Sequence, residues 1–330
     1  MSLAITALPL PHVLIKQLLN NGIHSLADIL QKMPWFDNYT SFDSNEDIQK
    51  LGLTSAHEKL LLDMINSHLK APKIIAPSDI HSSDVPQIIT FSSSLDSLIS
   101  GGVFSGEVIE FLGEPGSGIS QLCHQLAVDC AIASVFGGRQ CKALYIDCNS
   151  DFCERRLGQI AEAALGHLRF IANTDKEKEV VERTSVHDIL SDISFARCTD
   201  YSQLIAVIHS LSEYCKYGLV VIDALATHFR HEFDDMRQRT NLLASVSNSL
   251  HSLCLKSEKL SVVTVNQTRM DGSGSLQPCL GESWSHTADR RVLFSHVTDD
   301  VFSATLMKGV NSGQSCQFRI SSSGIRDCPS

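Results

Sequence analysis

Between Gly113 and Ser120 the chain reads GEPGSGIS, with Gly113, Gly116 and Gly118 spaced so that backbone N–H groups can close around phosphate oxygens at a helix start. The pattern is that of the phosphate-cradling loop, G-x-x-x-x-G-K-[ST]. Ser120 stands where a hydroxyl ligates Mg²⁺. Asp223, closing the apolar run LVVID (Leu219 to Asp223), stands where a strand-end carboxylate supports that ion without binding it directly. Two side chains that the chemistry needs are replaced. Ile119 holds the lysine position, so the cation that meets the outer phosphates is missing. Just past the run KALYID, the natural place for a carboxylate that activates water holds Asn149, which takes no proton at neutral pH. A lost charge-assisted hydrogen bond costs roughly 1.5–3 kcal/mol, and a lost general base about 10²–10⁴ in rate. The expected ligand is ATP or ADP with Mg²⁺, cradled by Gly113, Glu114, Pro115, Gly116, Ser117, Gly118, Ile119 and Ser120, with no confident catalytic residue. Asp147 and Asp151 are close by. Asp147 is expected to cap its strand end or support the ion, with a minor reading as a substitute base.

These residues need a sheet to position them. Short apolar runs predict strands at Glu107–Leu112, Lys142–Asp147, Ile193–Cys198, Leu219–Asp223 and Ser261–Val265. Helical spacing predicts Ser120–Ala127, Phe152–Ala164, Lys176–Asp192, Tyr201–Leu211 and Arg239–Leu255. Strands alternating with helices mean an α/β fold, a mostly parallel sheet covered on both faces. Three closing runs, Arg291–Ser295, Phe302–Met307 and Cys316–Ile320, are expected to add antiparallel strands.

Before this core, residues 1–70 read as a small all-α unit like a helix-hairpin-helix. Ser25 with Asp28 and Ser55 with Glu58 fit capping boxes, and Leu51-Gly52-Leu53-Thr54 fits a turn between helices. The unit is either a docking domain without chemistry or a weak contact for a DNA backbone. Residues 71–87 carry three prolines and several serines and read as a linker, whose Ile74, Ile75 and Ile80 dock on a neighbour or pack locally. The core is then 88–330.

At 330 residues and 43% hydrophobic, the chain is long enough for one large and one small domain. No apolar run reaches about eighteen residues, so no membrane span is expected, and the first residues lack a basic signal-peptide start. Eleven cysteines without a C-x-x-C pair suggest reduced thiols in cytosol or nucleus. The net charge of −10 argues against sequence-blind nucleic-acid binding by the whole surface.

The segments GEPGSGISQLCHQLAVD, ALYIDCNSDFCERRL, LVVIDALATHFRHEFDD, SVVTVNQTRM and LGESWSHTADRRVLF together resemble the eukaryotic RecA-type strand-exchange recombinases, and within them the C paralogue. The resemblance implies a RecA-like phosphate-loop core and a place in homologous recombination and double-strand break repair. It implies partners among other recombinase paralogues and the recombinase itself, on single-stranded or branched DNA. It also implies an Asn266–Gln267 pair that senses the γ-phosphate, and two mobile DNA-facing loops at about Phe229–Arg239 and Met270–Leu280. Arg230, Arg237, Arg239 and Arg269 are the DNA-binding candidates. Glu232, Asp234, Asp235 and Asp271 nearly balance them, so a solvated charged surface is the alternative. The flexible Gly272–Gly274 tip could order on a DNA strand. Ile119 and Asn149 depart from the family pattern, and the chain stops at Ser330 without the paralogue's basic import tail, so nuclear entry is expected to lean on a partner. Two functions remain open: a mediator or scaffold with a degenerate ATP site, or a DNA-dependent ATPase whose loop is completed by a partner's lysine or by Lys308. His228 and His231 lack metal-spaced partners. Cys148 and Cys153 are expected to be buried thiols, and Trp284 to pack near a subunit border.

Overall fold

The computed structural model describes residues 87–329 apart from 214–215, 232, 234, 258, 271 and 273–275, together with 4–7, 10–25, 28–29, 57 and 60–61. The chain forms two compact units, Met1–His81 and Ser82–Ser330. In the first, helix α1 (His12–Asn20) buries Leu14 and Leu18. The Ser25–Asp28 box forms as its sequence suggests: the Ser25 amide donates to Asp28 Oδ2 at 2.9 Å and the Asp28 amide to Ser25 Oγ at 3.3 Å. The Leu51–Thr54 turn, the cap at Ser55 and Glu58, and the linker up to residue 86 lie outside the described residues.

The second unit opens with α2 (Ser93–Leu98), capped by Ser92. Then follow β1 (Val108–Gly113), α3 (Ile119–Asp129), β2 (Ala143–Asp147), α4 (Glu154–Ile171), α5 (Asp175–Arg183), α6 (Val186–Ser191), β3 (Ile193–Arg197), α7 (Tyr201–Glu213) and β4 (Leu219–Asp223). After these come α8 (Leu225–His231), α9 (Met236–Lys256), β5 (Ser261–Met270), β6 (Leu276–Pro278), α10 (Glu282–Ser285), β7 (Arg290–Thr298), β8 (Val301–Lys308), β9 (Ser315–Ser321) and β10 (Gly324–Asp327). The sheet order is β10-β9-β8-β7-β1-β5-β4-β2-β3, with β6 paired to β5 alone. From β7 to β3 every pairing is parallel, and from β7 to β10 every pairing is antiparallel, the expected extension with one strand more.

Alternate residues of the central strands enter different cores. Ile109, Phe111, Tyr145, Val221, Val263 and Val265 pack with α3 and α4. Val108, Leu144, Ile146, Val220, Ile222 and Val262 pack with α7, α8 and α9. Both faces are dry, which is why these strands read as unbroken apolar runs rather than alternating ones. The expected single helix over Lys176–Asp192 is instead two. Thr184 and Ser185 interrupt it because Ser185 starts a second capping box with Asp188, offering the backbone a better partner than another helical turn.

Candidate nucleotide site

The glycine loop leaves β1 and enters α3, as its sequence requires. Gly116 and Gly118 take φ of 87° and 85°, the left-handed region, and Gly118 is the N-cap of α3. A Cβ on Gly113 would strike Ser117 Oγ and come within 2.8 Å of the Phe294 carbonyl oxygen, so only glycine lets the loop close. Above the loop lies a cavity of about 330 Å³. Its polar wall is Asn149, Asp151, Asp223 and Gln267, and its apolar wall is Phe302 and Ile320. Among the described residues no lysine or arginine lines it. Ile119 is only 6% exposed and belongs to the core beneath the loop.

Asp223 and Tyr145 lie on adjacent strands, and the Tyr145 hydroxyl donates to Asp223 Oδ2 at 2.6 Å. Burial raises the Asp223 carboxyl above the usual carboxylate range, against the hydroxyls of Tyr145 and Ser120, which draw it down. Its Oδ1 is buried and receives no hydrogen bond of good geometry among the described residues. A buried acidic oxygen left short of partners beside Ser120, at an amide-lined loop, fits a divalent cation carried by a polyphosphate. Ser120 would ligate that cation and Asp223 would support it from behind, and the cation would neutralise phosphate charge.

Asp147 does the capping expected of it. Its Oδ1 accepts the backbone amides of Asn149, Ser150 and Asp151 at 3.1, 2.8 and 3.2 Å, and Arg197 Nη2 lies 3.4 Å from Oδ2. That grip holds Asn149 against the cavity, where its Oδ1 accepts the Thr227 hydroxyl. Sequence reasoning missed His124. It stacks on Tyr145 at 5.1 Å, donates from Nδ1 to Ser120 O at 2.6 Å and accepts the Cys153 amide at 3.3 Å, tying the loop helix to the start of α4. It missed Tyr145 as well, although a hydroxyl inside an otherwise apolar strand was the available signal.

Several expected site residues lie elsewhere. Of the Asn266–Gln267 pair, only Gln267 reaches the cavity. Neighbours on a strand point to opposite faces, so Asn266 is buried on the far side, where its Nδ2 donates to Glu110 Oε1 at 2.8 Å beside the Arg291–Glu110 ion pair of 2.5 Å. Arg239 is corrected as a DNA candidate. It is 9% exposed, and its guanidinium donates to the carbonyls of Phe229 and Cys279 at 2.6 and 2.8 Å. The reason is that Leu225–His231 is helical and Phe229 fully buried, so the expected first loop is partly core. Arg230, Arg237 and Arg269 are exposed, and Arg230 Nη1 donates to Gln267 Oε1 at 3.3 Å. The second loop begins as a β5–β6 ribbon pairing Arg269 with Gln277. Glu232, Asp234, Asp271 and Ser273–Gly274 lie outside the described residues. Lys308 cannot complete the loop, because its Nζ donates to the carbonyls of Ala288 at 2.5 Å and Ser285 at 3.3 Å. Trp284 is 2% exposed and packs in the core beside α9. Cys148 is buried as expected, but Cys153 is exposed because it heads α4.

In this sheet one strand, β5, separates the loop strand β1 from the strand carrying Asp223. That order, with a glycine loop at one strand end and an aspartate two strands away, defines a RecA-like phosphate-loop core. Residues 81–328 match the Rad51 family model, and the chain belongs to the Rad51 family. It is 39% identical over 251 residues to the DNA repair protein RAD51 homolog 3 of Cricetulus griseus, spanning 73% of this chain and 68% of that protein. It is 32% identical over 217 residues to the protein of the same name from Dictyostelium discoideum, spanning 63% of this chain and 57% of that one. The DNA repair protein RAD51 homolog 1 of Arabidopsis thaliana is 29% identical over 259 residues, 74% of this chain and 70% of that protein. Homolog 3 is the C-type paralogue, so the resemblance read from the sequence holds, and with it a Rad51 paralogue's role in DNA repair and recombination.

Proposed function

We propose that the chain is a mediator or scaffold of homologous recombination, assembled with other recombinase paralogues on single-stranded or branched DNA. In this reading it keeps a nucleotide in a degenerate site without hydrolysing it. The carrying observation is the combination in one cavity of a fully formed amide cradle with Ile119 and Asn149 at the two positions that bond cleavage needs. Gly113–Ser120 hold the phosphates, Ser120 ligates the Mg²⁺ with Asp223 supporting it indirectly, and Gln267 faces the terminal phosphate. Phe302 and Ile320 suit the flat apolar base at the other wall. Backbone amides serve the inner phosphates and the missing lysine the outer ones, so ADP loses less than ATP by the substitution. Arg230, Arg237 and Arg269 supply a salt-sensitive DNA contact, and Arg230 joins that surface to the cavity through Gln267. In this reading the chain works in the nucleus, where broken DNA is repaired.

The rival is a DNA-dependent ATPase. With Lys308 committed to backbone carbonyls, its missing cation would have to come from a partner subunit, and the exposed Asp151 at the cavity could receive one. The deciding experiment measures nucleotide content of the purified chain, alone and with a paralogue partner, alongside steady-state ATP turnover with and without single-stranded DNA. Bound nucleotide with no turnover is expected. Turnover comparable to that of a lysine-bearing relative, abolished by Asp223→Ala, would establish the rival.

A further inference from the structure

At the far end of the loop helix, away from the phosphates, two cysteines face each other. Cys130 is the C-cap of α3, and Cys141 lies two residues before β2. Their Sγ atoms are 3.0 Å apart, only about 1 Å more than a disulfide bond. The backbone holds them there: the Cys141 amide donates to the Cys130 carbonyl at 3.0 Å, and the Gln140 amide to the Ile132 carbonyl at 2.9 Å. The pairing is therefore built into the main chain rather than left to two mobile side chains. The two thiols also differ. Cys130 is buried and Cys141 half-buried, within reach of a small oxidant. The Cys130 thiol, hydrogen-bonding to Cys141, draws the Cys141 thiol below its ordinary value. Arg139 and Lys259 add to this, against burial and the charge of Asp192. A more acidic, more accessible thiol beside a buried resolving thiol is the arrangement of a redox-reactive pair.

We propose that Cys130 and Cys141 form an oxidation site for hydroperoxides, with Cys141 as the attacking thiolate and Cys130 as the resolving thiol. Cys141 Sγ attacks one peroxide oxygen, the O–O bond breaks, and the departing hydroxide is protonated to water, leaving a sulfenic acid. Cys130 Sγ then attacks that sulfur, the S–O bond breaks, and a second water leaves with the Cys130 proton. Two thiols lose two electrons and two protons, and one hydrogen peroxide becomes two waters. The product bond staples the end of the loop helix to the lead-in of β2. It leaves the phosphate end of α3 untouched, so this proposal is independent of what the cavity holds.

The test treats the reduced full-length chain with stoichiometric hydrogen peroxide at neutral pH, blocks remaining thiols, and maps tryptic peptides by mass spectrometry. Trypsin cuts after Arg139, between the two cysteines, so the bond joins two otherwise separate peptides and lowers the chain mass by about 2 Da. That linked pair is expected before modification of the exposed Cys153. In Cys130→Ser, which removes the resolving thiol but keeps a hydrogen-bond donor beside Cys141, a dimedone-trapped sulfenic acid is expected at Cys141, with little in the unmodified chain. The proposal is overturned if Cys153 oxidises first with residues 130 and 141 still alkylatable, or if Cys130→Ser leaves Cys141 no more reactive to dimedone than before.

Discussion

Restoring the lysine separates binding from hydrolysis. In Ile119→Lys the new ammonium would meet the outer phosphates, contributing roughly 1.5–3 kcal/mol, or about ten- to hundred-fold in affinity. The gain should be larger for ATP than for ADP, because the lysine serves the β- and γ-phosphates. It comes with a stability loss. Ile119 is a core residue at 6% exposure, and burying an isoleucine contributes about 1.5–3 kcal/mol. Part of that survives because lysine's aliphatic stem can lie along the same surface. A net cost of about 1–2 kcal/mol should lower the melting temperature by roughly 2–8 °C. Turnover should stay near background, since Asn149 still offers no base, and should rise only in Ile119→Lys/Asn149→Glu, by about 10²–10⁴. Calorimetric titration with Mg·ATP and Mg·ADP, a thermal melt and a phosphate-release assay read the three effects. A folded Ile119→Lys with unchanged affinity would refute the intact cradle. Turnover restored by lysine alone would refute the assignment of Asn149.

Other expectations follow from the packing. Arg290 donates from Nε to Glu107 Oε2 at 2.8 Å and from Nη2 to Gly102 O at 2.9 Å, with both charged groups buried. Arg290→Ala strands that carboxylate and should cost about 3–5 kcal/mol, read from urea unfolding. Burial, with the Asp327 charge adding and the Thr90 hydrogen bonds opposing, pushes the Asp96 carboxyl up to about 6. The ionised form is therefore penalised only in the fold, and stability from this group is full below the ordinary carboxylate range and falls as pH rises through about 6. Asp96→Asn keeps an acceptor for Thr90 and should stabilise by on the order of 1–3 kcal/mol at pH ~7.5, with no gain near pH ~4. Equal melting-temperature shifts at both pH values would contradict this. Finally, Arg239→Ala should destabilise by about 1–3 kcal/mol through two orphaned carbonyls. Arg230→Ala should leave the melting temperature unchanged and weaken single-stranded DNA binding in a low-salt titration. The reverse pattern would undo the reassignment of Arg239.

What the sequence made legible was whatever local chemistry decides. LVVID is a strand with the bounds its letters suggest, and the glycines fold as a cradle because loop closure leaves no room for a Cβ at Gly113. Hidden were properties settled by neighbours far along the chain. Which face Asn266 takes depends on the register of β5 against β1, which no short pattern states. Arg239 reads as a basic surface residue until α8 is seen to carry Phe229 inward and leave a carbonyl for it to bind. Thr184 and Ser185 do carry a cap signal, but charged residues on either side make the stretch look like one helix.

The turn gathered by Asp147 has a consequence of its own. Three amides converge on one carboxylate oxygen, so the backbone at position 149 is aimed by its neighbour and not by its own side chain. An amide or an acid there would be presented from the same spot. The aim of position 149 thus does not depend on its own side chain, and an acid set there would regain a proton acceptor at the cavity while the cation absent at Ile119 stayed absent.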